Sequence, residues 1–177
     1  YENKSADENN YSVCLMFNQG DNHYLFTGDL EKDGEEHLVT YYEDIGDPLP
    51  HCVLYKAGHH GSKTSSSEIL MEAVRPEYVV VCCCAGTSEF TDITANQFPT
   101  QDFINNIAPY TDKVYIPTMV DYYEEGGETK ETFKDMNGNI IFTVNNGKIN
   151  IEFGNNDTKL KDTDWFKENR ECPNAWQ

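Results

Sequence analysis

Apolar and polar positions change their rhythm several times along this chain, and each rhythm predicts an element. YSVCLMF (Tyr11 to Phe17) reads as a strand. NQGDN follows as a turn, and HYLFTGD carries a second strand over Tyr24 to Thr27. Two apolar runs around such a turn predict a β-hairpin. EKDGEEHLVTYY predicts a helix over roughly 30–42, DIGDPLP a loop, and HCVLYKA a third strand near 51–57. The stretch GHHGSKTSSS (58–67) contains no aliphatic residue. It leads into a helix whose Ile69, Leu70, Ala73 and Val74 share one face and which Pro76 stops. Tyr78 to Cys84 is an unbroken apolar run, the pattern of a strand buried on both faces. A long loop (85–98), a helix opened by Pro99 and a strand in KVYIP follow.

Strand, helix, strand, helix, strand predicts an α/β fold with helices packed on a sheet. The later sequence reads differently. In ETFKDMNGNIIFTVNNGKINIEF the dipeptides Asn137-Gly138 and Asn146-Gly147 separate alternating strands, which predicts a β-meander. The expected organisation is a polar segment (1–8), one folded unit (9–153) and a polar tail (154–177) that docks weakly or moves, with only Trp165, Phe166 and Trp176 to anchor it.

Composition narrows the function classes. The chain has 177 residues, 38% of them hydrophobic, which suits one globular domain. No run approaches the ~20 apolar residues of a membrane span. With 31 acidic residues against 13 basic ones the net charge is -18, which disfavours long nucleic acid and favours cations. The six cysteines lack CxxC spacing, and three are adjacent, so they read as buried, reduced side chains. The chain starts at Tyr1 with polar, unpatterned residues, and we expect either a processed piece or one segment of something longer.

Two places carry candidate chemistry. Asp29, in Thr27-Gly28-Asp29, follows a strand, at the edge where α/β proteins hold ligands, and the alternative is a helix cap. Gly58-His59-His60-Gly61-Ser62 also follows a strand. Glycines at both ends let the backbone aim two imidazoles at one point, and imidazole is a common zinc ligand; the alternative is a surface loop that happens to contain histidines. Asp29 with these histidines makes an incomplete zinc set. His23, His37 and His51, placed on other elements, do not complete it.

NNYSVCLMFNQGDNHYLFTGDLEKDGEEHL and VLYKAGHHGSKTSSSEILMEAVRPEYVVVCC resemble the metallo-β-lactamase-fold hydrolases, nearest the hydrolase domain of ComEC-type competence proteins. The resemblance covers roughly residues 9–153 and implies the C-terminal half of an αβ/βα sandwich. It implies two zinc ions, with manganese as an option, and a water activated between them to attack a phosphodiester or other ester. Asp29 matches the carboxylate that bridges the metals, and His60 a ligand of the second. His59 matches a substrate-contact or leaving-group position. Ser62, Lys63 and Thr64 match the pocket lining, with Lys63 placed to meet an anionic substrate.

The family's HxHxDH cluster and its third histidine motif are absent from this sequence, so the resemblance implies a partner in the form of an N-terminal half, on the same polypeptide or a second chain. The family's His-Pro is here Phe98-Pro99. Two divalent ions offset only part of the acidity, so a small anionic substrate is expected rather than long DNA. The other readings are a non-catalytic metal-binding or interaction module and an acidic α/β domain without metal. For location, unpaired cysteines point to a reducing interior and the family resemblance to the cell surface.

Overall fold

The computed structural model describes residues 7–177, so most of the expected 1–8 segment lies outside the described residues. Five strands form the main sheet in the order β1 (Leu15–Gln19), β2 (Asn22–Phe26), β3 (Leu54–Lys56), β4 (Tyr78–Val80) and β6 (Val114–Tyr115). β1 and β2 are the antiparallel hairpin, and β2, β3, β4 and β6 run parallel. The helices α1 (Lys32–Asp44), α2 (Glu68–Val74) and α3 (Gln101–Ile107) connect the parallel strands and touch in succession. This is the mixed α/β fold that the alternation of patterns predicts. The first strand begins later than expected, because residues 8–11 form a 3-10 turn whose Asn10 side chain accepts from the Gly34 amide.

The two faces of the sheet differ. Met16, Leu25, Tyr55, Val79 and Val114 alternate onto the helix-covered face, and all but Met16 are fully buried. On the opposite face a second hairpin, β9 (Ile140–Asn145) and β10 (Lys148–Phe153), packs over the β4–β6 end through Tyr78–Phe142 and Tyr115–Phe153 ring contacts at 5.8 and 4.7 Å. At the β1 end the same face is open: Leu15 and Phe17 are exposed beside half-buried Tyr24 and Phe26.

Three expectations are corrected. The Tyr78–Cys84 run is not one buried strand. The chain leaves the main sheet after Val81, turns through a Cys83 N–H to Val81 carbonyl bond, and pairs again as β5 (Cys84–Ala85) in a separate sheet with β7 (Thr118–Glu125) and β8 (Glu128–Asp135). Cys82, at the crossing, is exposed, and all six thiols are free. Burial pushes Cys14 up to about 11 and Cys52 up to about 12, which leaves both as neutral thiols.

The meander is two separate hairpins. Asn146-Gly147 turns β9 into β10 as expected, but Asn137 is fully buried and turns no hairpin. Its side-chain Oδ1 accepts from the Ile116 amide at 2.7 Å, and its side-chain NH2 donates to the Asn156 and Thr158 carbonyls. The third correction concerns the C-terminal residues, which are built into the core. Trp165 and Phe166, on α4 (Asp164–Asn169), and Trp176 are all buried. The Trp176 indole donates to the Thr111 carbonyl at 2.8 Å. Among the described residues no helix is long and apolar enough to cross a membrane.

Candidate functional site

β2 and β3 are parallel neighbours, with Phe26 opposite Lys56, so the loops that follow them leave the same edge of the sheet. The two loops are stitched together. The His59 amide donates to the Gly28 carbonyl at 3.0 Å, the Lys32 amide to the Thr64 carbonyl at 2.9 Å, and the Ser65 hydroxyl to the Leu30 carbonyl at 2.6 Å. Asp29 caps no helix here, since α1 starts after Glu31.

The histidine loop is a tight turn held from beneath. His59 and His60 both take left-handed backbone angles, φ 42° and 57°, a conformation that costs non-glycine residues energy and that tends to occur where function demands it. Gly61 must be glycine. At φ 78° a Cβ there would sit 2.8 Å from Pro99 Cβ and 3.1 Å from Val81 Cγ1. The Gly61 carbonyl accepts from both the amide and the hydroxyl of Thr100, which ties the turn to the start of α3.

Beneath the loop sits Glu35. It is fully buried, and its two carboxylate oxygens accept the Ser66 and Ser67 amides at 2.7 Å each. These amides belong to the two residues that lead into α2, Ser67 being its N-cap, so the carboxylate fixes the entry to the helix. Burial still raises the Glu35 carboxyl above its ordinary value, and the amide hydrogen bonds offset part of that rise.

The imidazoles are aimed. His60 Nδ1 lies 2.7 Å from the Cys82 carbonyl, which accepts, so Nδ1 carries a proton and Nε2 is the nitrogen that the neutral ring has to offer a ligand. That Nε2 is 3.9 Å from Asp29 Oδ1. A backbone carbonyl behind one ring nitrogen and a carboxylate before the other is how proteins prepare a metal-binding histidine. His59 has a different neighbour: its Nδ1 is enclosed and lies 3.2 Å from Glu31 Oε1, off the line of a hydrogen bond. The rings of His59 and His60 are 6.3 Å apart.

The other expected residues are placed as follows. Ser62 is buried, and its hydroxyl bonds the Thr64 hydroxyl at 3.0 Å, while Thr64 donates to Glu31 at 2.8 Å. Both belong to the framework of the loop. Lys63 is exposed, and its ammonium donates to Asn96 at 3.1 Å. His23 pairs with Asn18, and His51 is exposed before β3. Among the described residues no three His, Cys, Asp or Glu side chains form a metal-holding group. Asp29 and His60 are chemically suited to zinc or manganese, but a catalytic ion needs about three protein ligands, so the pair fits as part of a set.

Sequence reasoning missed Glu31 and Glu35. Both lie just past Asp29 in an acidic stretch, where nothing separates a structural carboxylate from a solvated one. It also missed the aromatic wall, in which the Phe98 ring lies 6.0 Å from His59 and stacks on His60 at 6.2 Å.

No family model matches the chain, and no solved structure does. A stretch of 79 residues, 45% of this chain, is 47% identical to Competence protein ComA of Neisseria gonorrhoeae and covers 11% of it. ComE operon protein 3 of Bacillus subtilis is 33% identical over 43% of this chain and 9% of its own length. Recombination protein 2 of Haemophilus influenzae is 34% identical over 42% of this chain and 8% of its own length. The chain thus spans about a tenth of the curated relatives it matches. The similarity to competence-related proteins is carried by under half of its residues.

Proposed function

We propose that this chain supplies the late part of a metal-dependent hydrolase site of the metallo-β-lactamase type, within a competence-type protein. One observation carries the reading: His60, with a proton held on Nδ1 by the Cys82 carbonyl, turns its Nε2 toward Asp29 at 3.9 Å. Asp29 and His60 hold a zinc or manganese ion together with ligands from outside these residues. Such an ion supplies Lewis acidity toward a phosphodiester or other ester. His59, beside Glu31, contacts the substrate and carries a proton to the leaving group. Lys63 meets the negative charge of a small anionic substrate, and Ser62 and Thr64 line the pocket's floor through their hydroxyl pair.

A second reading is favoured by the lack of a three-residue ligand group among the described residues. In it the same pair belongs to a non-catalytic metal-binding or interaction module. One experiment decides between them. Zinc and manganese content and turnover of bis(p-nitrophenyl) phosphate are measured for this chain and for a longer natural polypeptide that contains it. The hydrolase reading expects metal and turnover in the longer polypeptide, and loss of both in Asp29→Ala and His60→Ala. Metal without turnover gives the second reading. Metal content unchanged by both substitutions rejects the site.

A further inference from the structure

The histidine loop closes on a single phenol oxygen. Tyr55, in the middle of β3, is fully buried, and so are Leu25 and Val79, its partners on β2 and β4. Its hydroxyl accepts from the Gly58 amide at 3.0 Å, at the first residue of the loop. The same hydroxyl pairs with the Ser66 hydroxyl at 3.0 Å, near the loop's end. At Gly58 the backbone rests directly on hydroxyls, since a Cβ there would stand 3.1 Å from both Tyr55 Oη and Thr27 Oγ1. Thr27, also fully buried, opens the Thr27-Gly28-Asp29 turn. One oxygen therefore lies where the two ends of the histidine loop meet the start of the Asp29 turn.

A hydroxyl buried in a core is costly unless it is bonded, and a plain ring would fill the same space. Here the hydroxyl's bonds to Gly58 and Ser66 both go to the loop. Burial pushes the phenol above its ordinary value, so it stays neutral and keeps both a donor and an acceptor. The segment it closes is strained. Five non-glycine residues take positive φ among the described residues, and three of them belong to this segment: His59 at 42°, His60 at 57° and Ser66 at 55°. Such angles persist only where the surroundings impose them. Glu35 holds the Ser66 amide at 2.7 Å, and the Tyr55 oxygen supplies the constraint at the other end.

We infer that Tyr55 is the positioning residue of the histidine loop, its oxygen holding Gly58 and Ser66 so that the strained turn between them keeps the His60 ring on the Cys82 carbonyl. The inference rests on the site proposed above and names the residue that aims it. Tyr55 acts through the backbone of Gly58 and the hydroxyl of Ser66. Without its oxygen the Gly58 amide has no acceptor inside the protein, and the left-handed turn relaxes toward ordinary angles. The His60 ring then leaves Cys82, and its proton is no longer kept on Nδ1, because the partner of one ring nitrogen decides which nitrogen is protonated.

The test uses the chain free of metal, so its outcome does not depend on the hydrolase reading. Tyr55→Phe keeps the ring in the core and deletes one oxygen. Long-range proton–nitrogen spectra, recorded where the imidazoles are neutral, read the His60 tautomer, and hydrogen exchange reads the Gly58 amide. The wild type should show His60 with its proton on Nδ1. Tyr55→Phe should move the tautomer ratio toward Nε2 by about five- to tenfold, the scale of one lost hydrogen bond. The Gly58 amide should exchange about tenfold faster, while the amides of β4 keep their rates. Ser66→Gly removes the second hydroxyl on a backbone that suits glycine and should move the ratio in the same direction by a smaller factor. If Tyr55→Phe does not fold, that variant decides. A wild type without a preferred tautomer, a ratio unchanged by the substitutions, or exchange accelerated equally over β3 and β4 overturns the inference, since the phenol then merely fills the core. Metal loss in Asp29→Ala and His60→Ala is scored separately and reports on the hydrolase reading alone.

Discussion

Oε1 of Glu31 lies 3.2 Å from His59 Nδ1 and accepts the Thr64 hydroxyl at 2.8 Å, so one carboxylate oxygen joins the imidazole to its own loop. Glu31→Gln keeps the shape and removes that charge. In the longer polypeptide we expect kcat on an aryl phosphodiester to fall about ten- to a hundredfold with little change in KM, the usual scale for losing a residue that orients a catalytic histidine. Thr64→Val should give a smaller fall in kcat. An unchanged kcat in Glu31→Gln means that His59 is not held through this carboxylate.

Glu35 gives a stability prediction with a definite sign. Burial raises its carboxyl in the folded state above the ordinary value. Between the two values the folded chain holds a proton that the unfolded chain has released. The group's contribution is thus fully present below the ordinary carboxylate value and is lost as pH rises through the folded value. Denaturant midpoints measured across that window should fall with rising pH more steeply in the wild type than in Glu35→Gln. Glu35→Ala should cost about 2–4 kcal/mol at neutral pH, because the Ser66 and Ser67 amides lose their acceptor inside the protein. Equal pH slopes in wild type and Glu35→Gln would remove the carboxyl from the account.

The order of strands and helices around the site was legible because amphipathic spacing and turn residues are local signals, and Thr27-Gly28-Asp29 and the paired histidines sit where strands end. What stayed hidden depends on distant partners. Asn137-Gly138 has the composition of a hairpin turn, yet the Asn137 amide is used up bonding Ile116, Asn156 and Thr158. The polar sequence around Trp165, Phe166 and Trp176 conceals that these three rings reach the core. The Cys82–Cys84 run looks uniformly apolar, and only the second sheet reveals why it bends. Glu31 and Glu35 differ from the other acidic residues solely in what lies against them.

The open face at β1 predicts association. Leu15 and Phe17 point outward beside Tyr24 and Phe26, and Val13, just before the strand, is 80% exposed. A sheet whose strands are mostly parallel is normally covered on both faces, and this end is not. The chain alone should bind an apolar-surface dye and self-associate in sedimentation. Leu15→Ser with Phe17→Ser should reduce both while leaving the thermal midpoint within a few degrees, since little burial is lost. A monomer without dye binding in the wild type would show that the face needs no cover.

Arg170 links the C-terminal segment to the wall of the site. Its guanidinium donates to the carbonyls of Thr94, Gln97 and Pro99 on the loop and of Asn169 on its own segment, and lies 4.6 Å over the Trp165 ring. Each of these carbonyls would otherwise turn to water, and the loop carrying Phe98 would lose its fixed distance from His60. Arg170→Met keeps the hydrocarbon stem and deletes the donors, at a cost of about 2 kcal/mol in global stability. The local effect should be larger than the global one. The Gly86 amide, which donates to the Phe98 carbonyl at 2.9 Å, should exchange with solvent at least about tenfold faster, while amides of β3 and β4 keep the global rate. Arg170→Lys should recover less than half of the protection, because an ammonium cannot reproduce the planar fork that reaches several carbonyls at once. Uniform acceleration of exchange across the sheet would instead make Arg170 an ordinary core contact with no special hold on Phe98.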